Sequence, residues 1–133
     1  MSPKSLVDAL KEVAHSDHSI LSAAEHKSPY ETGARREQGQ AALVLRPASN
    51  EEMSAMVAIC VQSDIEVVPQ SANTGVVWGS TPDATGNQVL LSLDRMSQLF
   101  ELDLVNRSVR VGAGVRLSEL NAKLEQYGLF FPI

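Results

Sequence analysis

This sequence has little of what marks a stapled, basic or membrane-spanning protein. It has one cysteine, Cys60, in 133 residues. A lone cysteine cannot close an internal disulfide, so a disulfide framework is excluded and a reducing, cytoplasmic compartment is the default. Positive charge is sparse: 11 Lys and Arg stand against 16 Asp and Glu, a net charge of -5. The tightest basic group is Arg35-Arg36. Neutralising a phosphate backbone needs a clustered basic surface, which argues against nucleic acid as a partner. No apolar run approaches the ~20 residues of a membrane-spanning helix. Met1 to Val13 has no long apolar run and no small-residue cleavage site, so no signal peptide is expected. His15 and His18 lie three apart, but no second pair completes a metal site of three or four ligands. They and His26 read as loop residues, and no metal is expected.

What is present suits one soluble domain or a piece of one. The composition is 44% hydrophobic and 20% charged, enough to build a core. Ser2-Pro3 opens a helix whose apolar face is Leu6, Val7, Leu10 and Val13. His15 to Gln40 is polar, is interrupted by Pro29 and Gly33, and reads as a loop. Ala42 to Arg46 is a short buried strand stopped by Pro47. Ser49 and Glu52 have capping-box spacing and start a helix with Met53, Met56, Val57, Cys60 and Val61 as its buried stripe. Ile65 to Val68 is a second β-branched strand. Strand, helix, strand at this spacing is a βαβ unit with parallel strands. Val89 to Leu93 is a third strand. Leu99 to Leu104 and Ser108 to Val111 form a hairpin candidate. Leu117, Leu120, Leu124 and Tyr127 mark a last helix stopped by Gly128. The fold class is therefore α+β: a βαβ unit with a small parallel sheet flanked by helices, then a β-hairpin and a helix.

The informative segment runs from Val67-Val68 through Pro69-Gln70-Ser71-Ala72-Asn73-Thr74-Gly75-Val76-Val77-Trp78-Gly79-Ser80-Thr81-Pro82. It follows a buried strand directly, and ligands in open α/β sheets collect beyond the carboxyl ends of parallel strands. Gly75 and Gly79 permit positive φ, which lets successive N–H groups converge on an anion. Ser71, Asn73, Thr74 and Ser80 add neutral donors. A diphosphate suits such a loop, and an ordinary small-residue turn is the plainer alternative. The segment matches neither the Walker pattern nor G-x-G-x-x-G.

Taken with its flanks, the segment resembles a known family. Pro69-Gln70-x-x-Asn73-Thr74-Gly75-x-x-x-Gly79-Ser80-x-Pro82 is similar to the pyrophosphate-binding loop of the vanillyl-alcohol oxidase and p-cresol methylhydroxylase superfamily. Its D-lactate and D-2-hydroxyglutarate dehydrogenase branch is the most similar. Arg46-Pro47-x-Ser49-x-Glu51-Glu52, Leu91-Ser92-Leu93-Asp94-Arg95-Met96 and Val111-Gly112-Ala113-Gly114-Val115 resemble its flanking segments. Leu129 to Pro132 resembles the stretch that leads toward the flavin ring. The likeness covers about residue 40 to the end. The family usually has glycine where this chain has Ser71, Ala72 and Trp78.

The resemblance implies an FAD-binding domain in residues 41–133, preceded by an N-terminal helix and loop extension, residues 1–40. It implies Pro69, Gln70, Ser71, Ala72, Asn73, Thr74, Gly75, Gly79, Ser80 and Pro132 as cofactor-binding residues. FAD is expected to be non-covalent, because residues 70 to 81 contain no His or Cys for attachment. A complete relative would pass hydride from a small 2-hydroxy acid to the flavin, and some of the parent family are peripheral at the inner membrane. Relatives continue past this point with further flavin contacts and a substrate domain. The apolar end Phe130-Phe131-Pro132-Ile133 is thus expected to stop inside a domain, and no catalytic base is assigned. Tyr30 lies where relatives often carry a tyrosine, and an ordinary loop tyrosine is an equal reading. A second hypothesis is a truncated, flavin-free interaction module, and under either hypothesis apolar surface exposed by truncation would suit a homodimer. A third is a nucleotide-binding domain outside this family.

Overall fold

The structure, a computed structural model, describes residues 3–133. Ser2, the expected capping residue of the first helix, lies outside them. The elements in chain order are α1 (Pro3–Val13), a 3-10 turn (Asp17–Ser19), β1 (Ile20–Leu21), α2 (Ala24–Glu31), β2 (Ala41–Leu45), α3 (Asn50–Gln62), β3 (Val67–Gln70), β4 (Gln88–Ser92), β5 (Phe100–Asp103), β6 (Ser108–Val111) and α4 (Leu117–Glu125).

Four strands form a sheet in the order β1-β2-β4-β3. β2, β4 and β3 run parallel, and β1 adds an antiparallel edge. The expected parallel βαβ unit is present, but its two strands are not neighbours, because β4 lies between them. The sheet is apolar on both faces, as parallel strands covered on both sides must be. Leu43, Leu45, Val89 and Leu91 face Leu6 and Leu10 of α1 and Met56 and Cys60 of α3. Val44 and Leu90 face the other side, with Ala41 and, more loosely, Tyr30 of α2. A register shift between Ala41 and Leu43 puts Ala41 on the Val44 side despite its odd spacing. Each fully buried leucine in these clusters contributes about 1.5–3 kcal/mol relative to exposure.

α3 starts with the Ser49 half of the expected capping box, while Glu52 turns to other partners. Ser49 Oγ accepts the Glu52 N–H at 3.2 Å. The Glu52 carboxylate, almost fully buried, accepts from Ala48 N at 2.7 Å and from His15 N at 2.8 Å. Burial alone would raise its pKa, but the bonds from Ser19, His15 and Ala48 outweigh it and the pKa is lowered. Glu52 therefore joins the chain after α1 to the start of α3. The expected stripe on α3 shifts at its end. Val61 is 69% exposed, and Ile59 packs against the core instead. Burial raises the Cys60 thiol pKa, as fits a packing residue.

The stretch from His15 to Gln40 is more ordered than a loop. It holds the 3-10 turn, β1 and α2, in which Pro29 sits inside the helix. Periodicity misses α2 because the helix is polar and buries no residue. Tertiary hydrogen bonds hold it: Lys27 Nζ donates to Ala41 O, and Glu31 Oε1 accepts from Ala41 N at 2.8 Å. The hairpin β5–β6 forms a separate two-stranded sheet, as expected. Lys123 of α4 lies over the Phe100 ring at 5.1 Å. Gly128 stops α4 at φ +64°, with Gly128 N bonded to Glu125 O and Leu129 N to Leu124 O in a Schellman arrangement.

Candidate functional site: the loop beyond β3

β3 ends at Gln70, where it pairs with Ser92 of β4. The chain must then return to the start of β4 to run parallel, and it does so without a helix through residues 71–87. The first half of this crossover stands at the carboxyl end of the sheet, where the loop was expected.

Gln70 anchors it. Its side chain is only 3% exposed, and Nε2 donates to Ser80 O and to Tyr30 O, each at 2.8 Å. One amide thus ties both ends of the loop to the last turn of α2. Asn73 makes a second tie: Nδ2 donates to Thr32 O at 2.8 Å, and Oδ1 accepts from Ser80 Oγ at 3.0 Å. Ser71 Oγ donates to Ala113 O at 2.7 Å and binds the loop to the turn after β6. That turn in turn presses on the end of β4. A Cβ at Gly112 would lie 2.1 Å from Met96 O, and one at Gly114 2.0 Å from Leu93 O. These two glycines are required by close backbone approach.

Gln70, Asn73 and Ser80 therefore share one network and Ser71 is tied separately to Ala113, so three hydroxyl or amide side chains expected to face a ligand are spent on the protein. Thr74, Gly75 and Gly79 lie exposed between the ties, with Ala72 beside them. Pro69 is an exposed member of β3. Pro132 is placed elsewhere, beyond α4. Its segment is held by Phe131 N donating to Asn121 Oδ1 at 2.8 Å, and no hydrogen bond joins it to the loop among the described residues.

The two loop glycines behave differently from expectation. Neither has positive φ; the left-handed positions are Asn73 (φ +54°) and Trp78 (φ +66°). Asn tolerates this conformation, whereas a bulky residue there is an outlier. What Gly75 and Gly79 provide is room. A Cβ at Gly79 would meet nothing within 4 Å, and one at Gly75 only Ser80 Oγ at 3.8 Å.

The main chain supplies the donors. Among the described residues, no backbone amide from Ser71 through Ser80 donates a hydrogen bond within the protein. An exposed run of uncommitted N–H groups, fixed at both ends and free of charged side chains, matches what a diphosphate requires. The residues present fit that group.

A charged cluster joins the site through Tyr30, whose carbonyl accepts from Gln70, and sequence reading found only part of it. Asp94 accepts Arg46 Nη2 at 2.9 Å and Tyr30 Oη at 3.1 Å, and the Arg46 guanidinium lies 5.6 Å from the Tyr30 ring centre. Burial pushes the Asp94 carboxyl up, but the Arg46 and Tyr30 contacts prevail and hold its pKa below the usual range. Burial and the Asp94 charge raise the Tyr30 pKa, so its hydroxyl stays a donor. Arg95 donates to Ser19 Oγ at 3.0 Å and Arg46 O at 2.9 Å and is spent on structure, not on an anion. Arg46 follows β2 directly and Asp94 lies two residues beyond β4, and it is the pairing of those two strands, not visible in sequence, that brings the charges together.

Residues 41–133 match the family described as "FAD binding domain". This chain belongs to that family. FAD is the cofactor that goes with the family, and the resemblance drawn from the loop and its flanks is borne out. A D-lactate dehydrogenase of Anaerostipes hadrus is 33% identical over 90 residues, covering 68% of this chain and 18% of its own length. A quinone-dependent D-lactate dehydrogenase of Haemophilus influenzae is 31% identical over 130 residues, covering 96% of this chain and 23% of its own length. A mitochondrial D-2-hydroxyglutarate dehydrogenase of Danio rerio is 32% identical over 96 residues, 72% of this chain and 18% of its own length. The chain thus spans about a fifth of the curated relatives it matches. The fold also recurs in p-cresol methylhydroxylase, with TM-score 0.77 at 18% identity over 95% of this chain and 25% of that one. An alkyldihydroxyacetonephosphate synthase superposes with TM-score 0.80 at 17% identity over 96% of this chain and 25% of that one. The α+β architecture is therefore that of the FAD-binding domains. Among the described residues, no helix is long and apolar enough to cross a membrane.

Proposed function

We propose that this chain binds FAD non-covalently, with the diphosphate held by main-chain amides between Ser71 and Ser80. The observation that carries the reading is that run of uncommitted N–H groups between the Gln70 and Asn73 ties. Charge-assisted bonds from backbone N–H to an anion are shorter and stronger than neutral ones. Pro69 and Gln70 set the loop's departure, Ser71, Asn73 and Ser80 hold its shape, and Ala72, Thr74, Gly75 and Gly79 leave the backbone accessible. Pro132 belongs to the flavin-ring side of the site in this reading. Residues 41–133 carry the loop, and residues 1–40 form an extension that braces it. Non-covalent attachment rests on the absence of His and Cys from residues 70 to 81.

The larger activity follows from the D-lactate and D-2-hydroxyglutarate dehydrogenase relatives. Bound FAD would supply the hydride-accepting chemistry for oxidation of a small 2-hydroxy acid in a complete relative. The chain's own contribution is to bind and orient FAD. Titration with FAD, followed by flavin fluorescence, tests the binding: saturable quenching is expected, and a flat response removes the proposal. D-lactate with a dye acceptor should give no turnover with this chain alone, and clear turnover would overturn that division of labour.

A second reading has its own observation. Leu102, Val109, Leu124, Leu129 and Phe130 line an open groove between the hairpin and the end of α4, with Phe130 well exposed. That surface suits a flavin-free module that pairs with a second copy. Sedimentation at several concentrations, with and without FAD, separates the two: a stable dimer indifferent to FAD would favour the module.

A further inference from the structure

Trp78 is the chain's one tryptophan, and its placement is unusual. Its backbone lies at φ +66°, a conformation that costs a bulky L-residue free energy and costs glycine almost nothing. Strain of this kind persists only where the surroundings hold it, and it gathers at ligand clamps. Here the surroundings do hold it: Trp78 O accepts Thr81 N at 3.2 Å, and Gln70 and Asn73 fix Ser80 two residues on. The indole gains little from the fold in return, being 60% exposed. It stands beside Gly79, where a Cβ would meet nothing within 4 Å, and inside the run of uncommitted amides. A costly backbone therefore leaves a large uncharged aromatic side chain exposed within the run of amides that suits a diphosphate.

We propose that the Trp78 indole is a ligand-contacting platform on which a planar ring of bound FAD stacks. This rests on the reading that the loop binds FAD. The diphosphate joins two ring systems, so a dinucleotide seated on these amides carries an adenine to one side and an isoalloxazine to the other. Ring stacking on an aromatic side chain needs a π-face and no charge, which is what this neutral loop offers.

The test compares the wild-type chain with Trp78→Phe and Trp78→Gly. FAD is titrated while indole emission and flavin emission are both read, and each protein is melted without ligand. Indole emission is expected to be quenched saturably with the same midpoint as the flavin signal. Trp78→Gly should weaken FAD about 10-fold, equivalent to about 1.4 kcal/mol. Trp78→Phe should stay within about threefold, because a ring is kept. Trp78→Gly should melt at the same temperature or higher, since it relieves the left-handed strain. A rise in stability with a fall in affinity is something a packing role would not produce. Titrations with ADP and FMN identify the ring: the one whose affinity falls in Trp78→Gly is the one that stacks. If Trp78→Gly binds FAD as tightly as wild type or tighter, the platform is wrong and the FAD-binding reading survives. If the wild-type chain does not bind FAD at all, both fail.

Discussion

Replacing Gln70 by alanine should release both ends of the loop at once. The lost amide makes two bonds of 2.8 Å, to Tyr30 O and Ser80 O, from a side chain 3% exposed. Each such bond contributes about 1 kcal/mol net, and an unmade buried acceptor costs more, so the expected loss is about 2–3 kcal/mol. Domain stabilities of about 5–15 kcal/mol leave the protein folded. A loss of that size in a chain of this length lowers the melting temperature by about 10 °C. Gln70→Glu should be worse than Gln70→Ala. It keeps the shape but turns the donor into an acceptor facing two carbonyl oxygens. The loop no longer arrives ordered, so binding must supply that order, and FAD affinity should fall on the order of 10-fold. Circular dichroism melts, flavin titration and limited proteolysis between residues 71 and 80 read the three effects. If Gln70→Ala melts within 2 °C of wild type, to order of magnitude, and keeps its FAD affinity, the anchoring argument is wrong.

Asp94→Asn should cost about 2 kcal/mol by weakening the bond network to Arg46 and Tyr30, measured by urea unfolding. The folded-state pKa of Asp94 is lowered, so the stability it contributes is complete above its unfolded value of about 3.9 and is lost as pH falls through the folded value. Stability measured down the acid limb should accordingly fall less steeply in the Asn variant. Gly114→Ala places a Cβ 2.0 Å from Leu93 O, a backbone atom that cannot step aside, and should cost about 3 kcal/mol or more, seen as loss of soluble folded protein. Gly79→Ala makes no contact within 4 Å and needs no positive φ, so its melting temperature should match wild type or exceed it. Its FAD affinity should nevertheless drop, because the added methyl occupies space a ligand would use; unchanged affinity would place the ligand elsewhere.

Sequence reading succeeded where one local pattern decided the outcome. β2, α3 and β4 each announce themselves by an apolar run or a capping residue, and Gly128 by its place after Tyr127. It failed where long-range contacts decide. α2 has no apolar stripe and contains Pro29; bonds to Ala41 and Gln70 hold it in place, and neither shows in residues 24–31. Val61 and Ile59 exchange roles because α3 leans on α1 as well as on the sheet. In the loop, the residues that take left-handed backbone are Asn73 and Trp78, while the glycines that invite it do not. That Ser71, Asn73 and Ser80 would turn inward was not visible, because a hydroxyl or amide looks the same in sequence whether it bonds protein or ligand.

The position of β4 has a consequence for how the chain reaches this state. The strands β2 and β3 are not paired with each other; each is hydrogen-bonded to a strand made later, at residues 88–92. A growing chain that ends anywhere before Gln88 has two apolar strands and no means of joining them. Closing the sheet means threading β4 between them, after a crossover without a helix to shape it. Loop closure of this kind is slow and leaves strand edges open while it happens. Closure of the sheet thus depends on the same segment that carries the amide run. Substitutions there should change how fast the protein folds as well as what it holds.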